Sequence, residues 1–550
     1  MKFVRRCGFP FLLLVALAAS PAHAAKEVMH GWPAGIPSGA ELEAAGAVIG
    51  EIHVTIGDIF DPSIPSEDHW LYRTANKLHI NTRQSVVRDQ LLFKSGEPYV
   101  QRVVQESERI LRDNDYLYDA WVRPVSYDGK TVDLEVRTRD TWTLNPGINY
   151  SRQGGQNSSS VELEEKNLLG NGQRLSFGWS NGVDRTSLDF EFFDPHFLST
   201  WTRFGVVYSD ADDGSTKAFR LDRPFYALDT QHAGGVYLFD SIRNEPRYAY
   251  GKNVGEYEQD EQFAEAYGGW SQGWDNGWVR RWTAGATYQQ KQFAEVVGSS
   301  LGGPLPEDIE LAYPWLGFDL IEDVFQERTN QDQIGRTEDV LLGLRAGGRI
   351  GYASESLGSD RNALMLRAYA QNGWDFGRER SLFVTTTATG RVESDGLRNA
   401  VLAAETRFYA RTSENTKFFA TVNGAATEEL DADQQLVLGG EEGLRGYPLR
   451  YQAGTSRALL TLEERYYTDW YPFRLFRVAG AAFFDMGRTW GTDVTGATSD
   501  GLLKDVGIGL RLGSSRSAFG NVIHIDLAFP LDGGDDIDAV QIVVETKVRF

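Results

Sequence analysis

A single cysteine occurs in the 550 residues, Cys7, and it lies ahead of the apolar run of what reads as a signal peptide. The expected mature chain therefore carries no disulfide and no thiolate metal site. Beyond that run there is no apolar stretch of the roughly 20 residues that a membrane helix needs. Basic residues are also short: 55 Lys and Arg stand against 77 Asp and Glu, a formal net charge of −22. That balance argues against nucleic acid, whose phosphates must be met by surplus cations, and against a peripheral protein drawn to anionic lipid. There is no G-x-x-x-x-G-K-[ST] or H-E-x-x-H, and the eight histidines are scattered singly. No enzyme activity, cofactor or metal is expected. The acidic stretches 210–213 and 532–538 lack the ligand spacing of an EF-hand loop and read as solvated loops.

What is present points to export and to β-structure. Lys2, Arg5 and Arg6 precede an apolar run over 9–19, and Ala22-His23-Ala24 offers a small-residue cleavage site, so residues 1–24 read as a signal peptide. The chain has 14 Trp, 23 Tyr, 30 Phe and 58 Gly. An exported chain rich in aromatics and glycine, without a membrane helix, is a secreted all-β protein or a membrane barrel. Barrel strands alternate and so escape a hydropathy window.

Residues 25–47, with Gly31, Pro33, Gly35 and Pro37, read as a linker. Residues 48–138 read as a small mixed domain. A strand over 48–56 is followed by a helix over 82–93 capped by Thr82, with Val87, Leu91 and Leu92 on its apolar side. Gly96-Glu97-Pro98 breaks it, and Val100, Val103, Val104, Ile110 and Leu111 mark a second amphipathic helix. Two strands, 118–127 and 131–138, flank the Asp128-Gly129 turn.

From 141 to 550 the period becomes two. Leu175, Phe177 and Trp179 alternate with polar or small residues, as do Leu188, Phe190 and Phe192. Val506, Ile508, Leu510 and Leu512 face away from Gly507, Gly509 and Arg511. Ile523, Ile525, Leu527 and Phe529 face away from His524 and Asp526, and the last segment sets Val540, Ile542, Val544, Val548 and Phe550 on one face. About 410 residues at roughly 25 per strand and connection predict about 16 strands. The polar stretch 253–276 is expected to be a loop.

Several of these features, in this order, resemble the outer-membrane assembly-factor superfamily of BamA, TamA and the two-partner secretion transporters. The strand–helix–helix–strand–strand order is similar to a POTRA domain. Gly439-Gly440-Glu441-Glu442-Gly443-Leu444-Arg445-Gly446-Tyr447 resembles the superfamily's infolded loop, with Leu444 at a usually β-branched position. Phe484-Asp485-Met486-Gly487 resembles the strand motif that receives it, and Val544, Val548 and the terminal Phe550 resemble a barrel-assembly signal.

The resemblance implies a membrane all-β fold: an approximately 16-stranded transmembrane β-barrel over 141–550, preceded by one small α+β POTRA domain over 48–138. It places the barrel in the outer membrane and the POTRA domain in the periplasm. Arg445 is a permanent cation, and Asp485 and Glu463 are its expected lumen partners. Glu464 is the alternative after a one-residue slip. Gly446 allows close backbone approach to the wall. Pro146 and Gly147 mark a weakened seam at the first strand, since proline cannot donate to a ladder; a strand that begins only after Pro146 is the alternative. The implied partners are outer-membrane lipid and lipopolysaccharide, and unfolded outer-membrane or secreted polypeptide clients. The implied function is assembly, insertion or translocation of polypeptides by strand addition without nucleotide hydrolysis. A passive pore or structural barrel is the other reading.

Overall fold

The computed structural model describes residues 31–499, 501–518, 522–532, 534 and 536–547. The expected signal peptide, and Val548 and Phe550 of the expected terminal signal, lie outside them.

The N-terminal unit is built on β1 (Val48–Gly57), β2 (Leu117–Tyr127) and β3 (Thr131–Asp140). β3 is central, parallel to β1 and antiparallel to β2. Its helices are α1 (Gly39–Ala44), α2 (Trp70–Leu78), α3 (Gln84–Arg88) and α4 (Gln101–Arg112). Leu42, Val87, Val104, Leu111, Leu117, Val132, Leu134 and Val136 form one buried core beneath them.

This unit departs from the expected POTRA pattern, which is corrected. Three helices rather than two separate β1 from β2. The expected 82–93 helix shrinks to the five residues of α3, and Thr82 does not cap it. The Thr82 N–H goes instead to the buried Asp140 carboxylate at 2.7 Å, and its hydroxyl takes the Asn167 amide at 2.8 Å. Nor is 25–47 a plain linker. Ser38 and Glu41 form a capping box that starts α1, which places Leu42 in the core.

The expected 16 strands are also corrected. Among the described residues 20 strands close into one barrel, running from Leu144–Gln153 to Gln541–Lys547. The spacing of roughly 25 residues per strand was too generous because many connections are minimal. Gly154-Gly155, Asp212-Asp213, Tyr250-Gly251, Asn276-Gly277 and Ser394-Asp395 are complete two-residue turns. Asn276 and Gly277 both take positive φ, 48° and 87°, as the strand twist requires of such a hairpin. The expected loop over 253–276 is in fact the longest strand, the 24-residue Lys252–Asp275. It is polar on both faces because a tilted strand needs only about 9–11 residues to cross the hydrocarbon. The rest stands in water, paired with the 18-residue strands His232–Ala249 and Trp278–Glu295.

Alternation sorts the two faces. Val506, Ile508, Leu510, Ile525, Leu527, Phe529 and Ile542 are exposed on the outside, whereas Asp505, Arg511, His524, Asp526 and Gln541 are buried inward. Such a surface suits lipid outside and a polar interior, with ring closure leaving few backbone groups unpaired.

The first barrel strand, Leu144–Gln153, runs through Pro146 and Gly147, which pair with Leu163 and Glu162. The alternative start after Pro146 is therefore set aside. On the other side the last strand closes the ring. Seven residue pairs tie Val522–Pro530 to Gln541–Lys547, and across the join Val544 pairs with Arg152 and the Gln153 amide donates to the Glu545 carboxylate.

Leu134 is fully buried at the centre of the N-terminal sheet. Leu134→Ala should cost that unit about 2–5 kcal/mol. Limited proteolysis should then remove the N-terminal unit while the barrel keeps its folded mobility on an unheated gel.

Candidate functional site

The connection between the barrel strands Thr416–Glu428 and Ser456–Tyr467 does not stay outside the barrel. Its legs, Leu436–Leu438 and Gln452–Gly454, pair with each other, and the segment between them folds into the lumen. At its tip Arg445 is only 5% exposed. Its Nε and Nη2 donate to the two oxygens of Asp485, at 2.7 and 3.0 Å, a bidentate grip. Nη1 donates to Glu463 at 3.0 Å and reaches Asp526 at 3.4 Å. The guanidinium also lies over the Phe483 ring, 3.3 Å from its centre. Burial opposes the charge, but the Asp485 carboxylate, then Glu463 and Asp526, outweigh it and hold the Arg445 pKa well above its ordinary value.

Asp485 sits directly opposite Asp505 in register. Facing carboxylates repel, and the loop answers both. Arg445 takes Asp485, and the Gly446 N–H takes Asp505 at 3.1 Å. Gly446 must be glycine here, since a Cβ would stand 2.6 Å from the Asp505 Cβ. The Tyr447 hydroxyl donates to the Lys504 carbonyl at 2.7 Å and accepts from the Lys504 N–H at 3.0 Å. Leu444, fully buried, packs with Leu438, Leu459, Leu503 and Tyr447. Gly487 leaves room for the loop, because a Cβ there would lie 3.0 Å from Leu438. Phe484 takes the opposite face of its strand and touches no part of the clasp.

Four acidic or cationic residues not singled out beforehand complete the cluster. Asp505 and Asp526 face inward, Arg511 pairs with Asp526 and with Glu463 (3.3 Å), and Arg465 pairs with Glu463 at 2.9 Å. The two-residue period was the available signal, since it placed Arg511 and Asp526 on the polar face. Glu464 points outward and accepts from Thr412 at 2.5 Å, so Glu463 takes the lumen role. His524, Asp526 and Glu545 form a grouping of metal-ligand type, but two guanidiniums already occupy Asp526, which disfavours a cation there.

The loop is tied across the barrel mouth as well. Arg391 grips Asp431 at 2.6 and 2.7 Å, Lys291 meets Asp433 at 2.6 Å, and Arg450 reaches Asp184 at 2.9 Å. From the opposite end a hairpin, Phe325–Thr329 with Thr337–Leu341, enters the lumen. Its tip accepts from Arg465 at the Gln331 carbonyl (3.1 Å) and from Tyr467 at the Asn330 carbonyl (3.0 Å), and Tyr409 donates to Asp332 (2.6 Å). Its legs hold the N-terminal unit. Arg112 of α4 grips Asp339 with two bonds of 2.7 Å, and Arg336 donates to the Leu117 carbonyl at 2.9 Å. The sequence offered no sign of this hairpin.

Two G-x-S-x-G strings do occur, at 178–182 and 269–273. Neither forms a nucleophile elbow, which needs a strand-to-helix turn. Ser180 and Ser271 lie within barrel strands, bonded to the Ser187 hydroxyl and the Arg280 carbonyl.

Arg445→Ala should leave Asp485, Glu463 and Asp526 facing one another without their shared cation. The expected cost is about 3–5 kcal/mol, read as a lower temperature for loss of the folded barrel band on gels. Arg445→Lys should recover only part, because an ammonium cannot engage both Asp485 oxygens in one plane.

The Omp85 superfamily domain matches residues 342–547, which contain the loop, its four carboxylates and the last ten barrel strands. Among solved structures the chain is similar to BamA from Haemophilus ducreyi lacking POTRA domains 1–3, at 14% identity over 90% of this chain and 84% of that one, with a TM-score of 0.38. It is also similar to CdiB from Escherichia coli, at 12% identity over 91% and 76% with a TM-score of 0.46, and to CdiB from Acinetobacter baumannii, at 11% over 91% and 73% with a TM-score of 0.44. The stretch that holds the whole arginine clasp is thus the part of the chain that matches the Omp85 superfamily domain.

Proposed function

We propose that this outer-membrane barrel inserts or translocates other polypeptides, admitting a client strand at the seam between its first and last strands. The supporting observation is that the first and last strands close the ring, Val544 pairing with Arg152, and that the first strand carries Pro146, which cannot donate to a ladder. A strand edge that parts from its neighbour is a site for strand addition. The edges of the N-terminal sheet, β1 and β2, offer a second such site. The work comes from the folding free energy of the client, with no nucleotide consumed and no covalent chemistry. Clients are unfolded outer-membrane or secreted polypeptides, and lipid and lipopolysaccharide surround the barrel.

The passive-pore reading is disfavoured by the two ends of the lumen. The clasped loop enters from one and the hairpin from the other, and Arg465 joins them through Glu463 and Gln331. A strand addition at the wall does not require either of them to leave.

Oxidation of an Arg152→Cys, Val544→Cys double variant should abolish function in cells, with a broad fall in outer-membrane barrel content, and reduction should restore it. Full function with the seam locked would contradict the proposal. Loss of a single exported protein on depletion would favour translocation over insertion. Deleting residues 329–335 should raise single-channel conductance severalfold in planar bilayers, whereas an unchanged conductance would remove the hairpin as the plug.

A further inference from the structure

α2 is an unusual helix for a soluble unit, since none of its nine residues is buried. Trp70, Leu71, Thr74 and Leu78 fall within about 100° of arc on one side. Trp70 is 63%, Leu71 52% and Leu78 70% exposed, and Ile80 continues the patch beyond the helix end. The opposite side is firmly held. The Tyr72 ring stacks on Phe60 with centres 4.3 Å apart, and Asn76 bonds both the N–H (3.1 Å) and the carbonyl (2.7 Å) of Phe60. The apolar stripe is thus aimed away from its own domain by specific contacts.

The helix itself sits beside the barrel rim. The Tyr72 hydroxyl donates to the Phe473 carbonyl at 2.9 Å, and Arg474 donates to Ser66 at 2.7 Å. Phe473 and Arg474 belong to the turn between the barrel strands Ser456–Tyr467 and Phe476–Trp490. In that turn Trp470 and Phe473 are themselves 60% and 75% exposed, and Tyr466 is exposed at the adjoining strand end. Aromatic residues at strand ends mark the level where hydrocarbon meets headgroups. The helix that carries the stripe is therefore docked, through Tyr72, beside a barrel turn whose own aromatic side chains are exposed. Lys77 and Arg73 stand exposed on its flank; Arg73 pairs with Asp68 at 2.6 Å, and Lys77 is placed for phosphate.

We propose that α2 lies in the phospholipid leaflet on the N-terminal side of the barrel, its Trp70–Leu71–Leu78 face among acyl chains and Lys77 at the headgroups. It is an interfacial helix, and it fixes the N-terminal unit against the membrane beside the turn that carries Phe473. A second copy of the chain is a poorer occupant. A patch the size of one nine-residue helix falls short of the roughly 1,200–2,000 Å² of a stable protein interface. The inference rests on the barrel lying in a bilayer, and the test reads that separately.

The full chain, with Cys7→Ser, would be labelled with a fluorophore at Leu71→Cys, at the outward barrel position Ile508→Cys or at the exposed hairpin residue Lys130→Cys. It would then be reconstituted in phosphatidylethanolamine–phosphatidylglycerol vesicles containing acyl-chain nitroxide lipid. The expected result is quenching at Leu71 severalfold above that at Lys130 and approaching that at Ile508. Quenching at Leu71 no greater than at Lys130, with Ile508 strongly quenched, would overturn the inference alone. Absence of quenching at Ile508 as well would overturn the membrane reading beneath it. Concentration-dependent disulfide dimers through Leu71→Cys would overturn it in favour of a second copy.

Discussion

A guanidinium that has given up its water must find carboxylates on several sides, and Arg445 finds them because four successive strands turn acidic residues to one point of the lumen. Glu463, Asp485, Asp505 and Asp526 come from adjacent strands. Without a cation they would repel one another across a confined, poorly hydrated space. The loop is in turn held where it is by that charge, by the close approach that Gly446 permits and by Tyr447 on the Lys504 backbone. Wall and loop each satisfy a need the other creates. The cluster therefore specifies a position for the loop more than it adds stability, since desolvation offsets much of the attraction.

From this point polar contacts run to both ends of the molecule. Outward, the same loop carries Asp431, Asp433 and Arg450 to partners around the mouth. Inward, Glu463 shares itself between Arg445 and Arg465, and Arg465 reaches the hairpin tip at Gln331. The hairpin ends on Arg112 and Leu117 of the N-terminal unit. The loop and the unit on the other side of the barrel are thus joined by a short series of polar contacts. Such a series links two ends physically; it becomes a signal only where an element in it has two arrangements.

The clasp was legible in the sequence because 439–447 and 484–487 resemble the superfamily's loop and strand motifs, and because a strand has a strict period. Once Phe484 is outward, Asp485 is inward, whereas the choice between Glu463 and Glu464 depends on a register that only the paired strands fix. Parity says nothing about how many strands there are. That number depends on turn lengths, and pairs such as Asn276-Gly277 were counted as parts of longer connections. The polar strand Lys252–Asp275 was hidden for a related reason, since outside the bilayer neither face needs to be apolar. The lumen hairpin was invisible because its five-residue legs look like any barrel hairpin. Only tertiary contacts, such as Ile334 against Ala479 and Val522, turn it inward. In the N-terminal unit, the cap at Thr82 was lost to a long-range partner, Asp140, that no local pattern contains.

The most direct test of the account is a distance distribution across the barrel mouth. Spin labels at Glu441→Cys on the loop and Ser394→Cys on the rim, in an otherwise cysteine-free chain, would be measured by double electron–electron resonance in lipid. The account predicts one narrow distance that broadens widely once Arg445 is replaced by Ala. An equally narrow and unshifted distance in both proteins would show that something other than the arginine holds the loop.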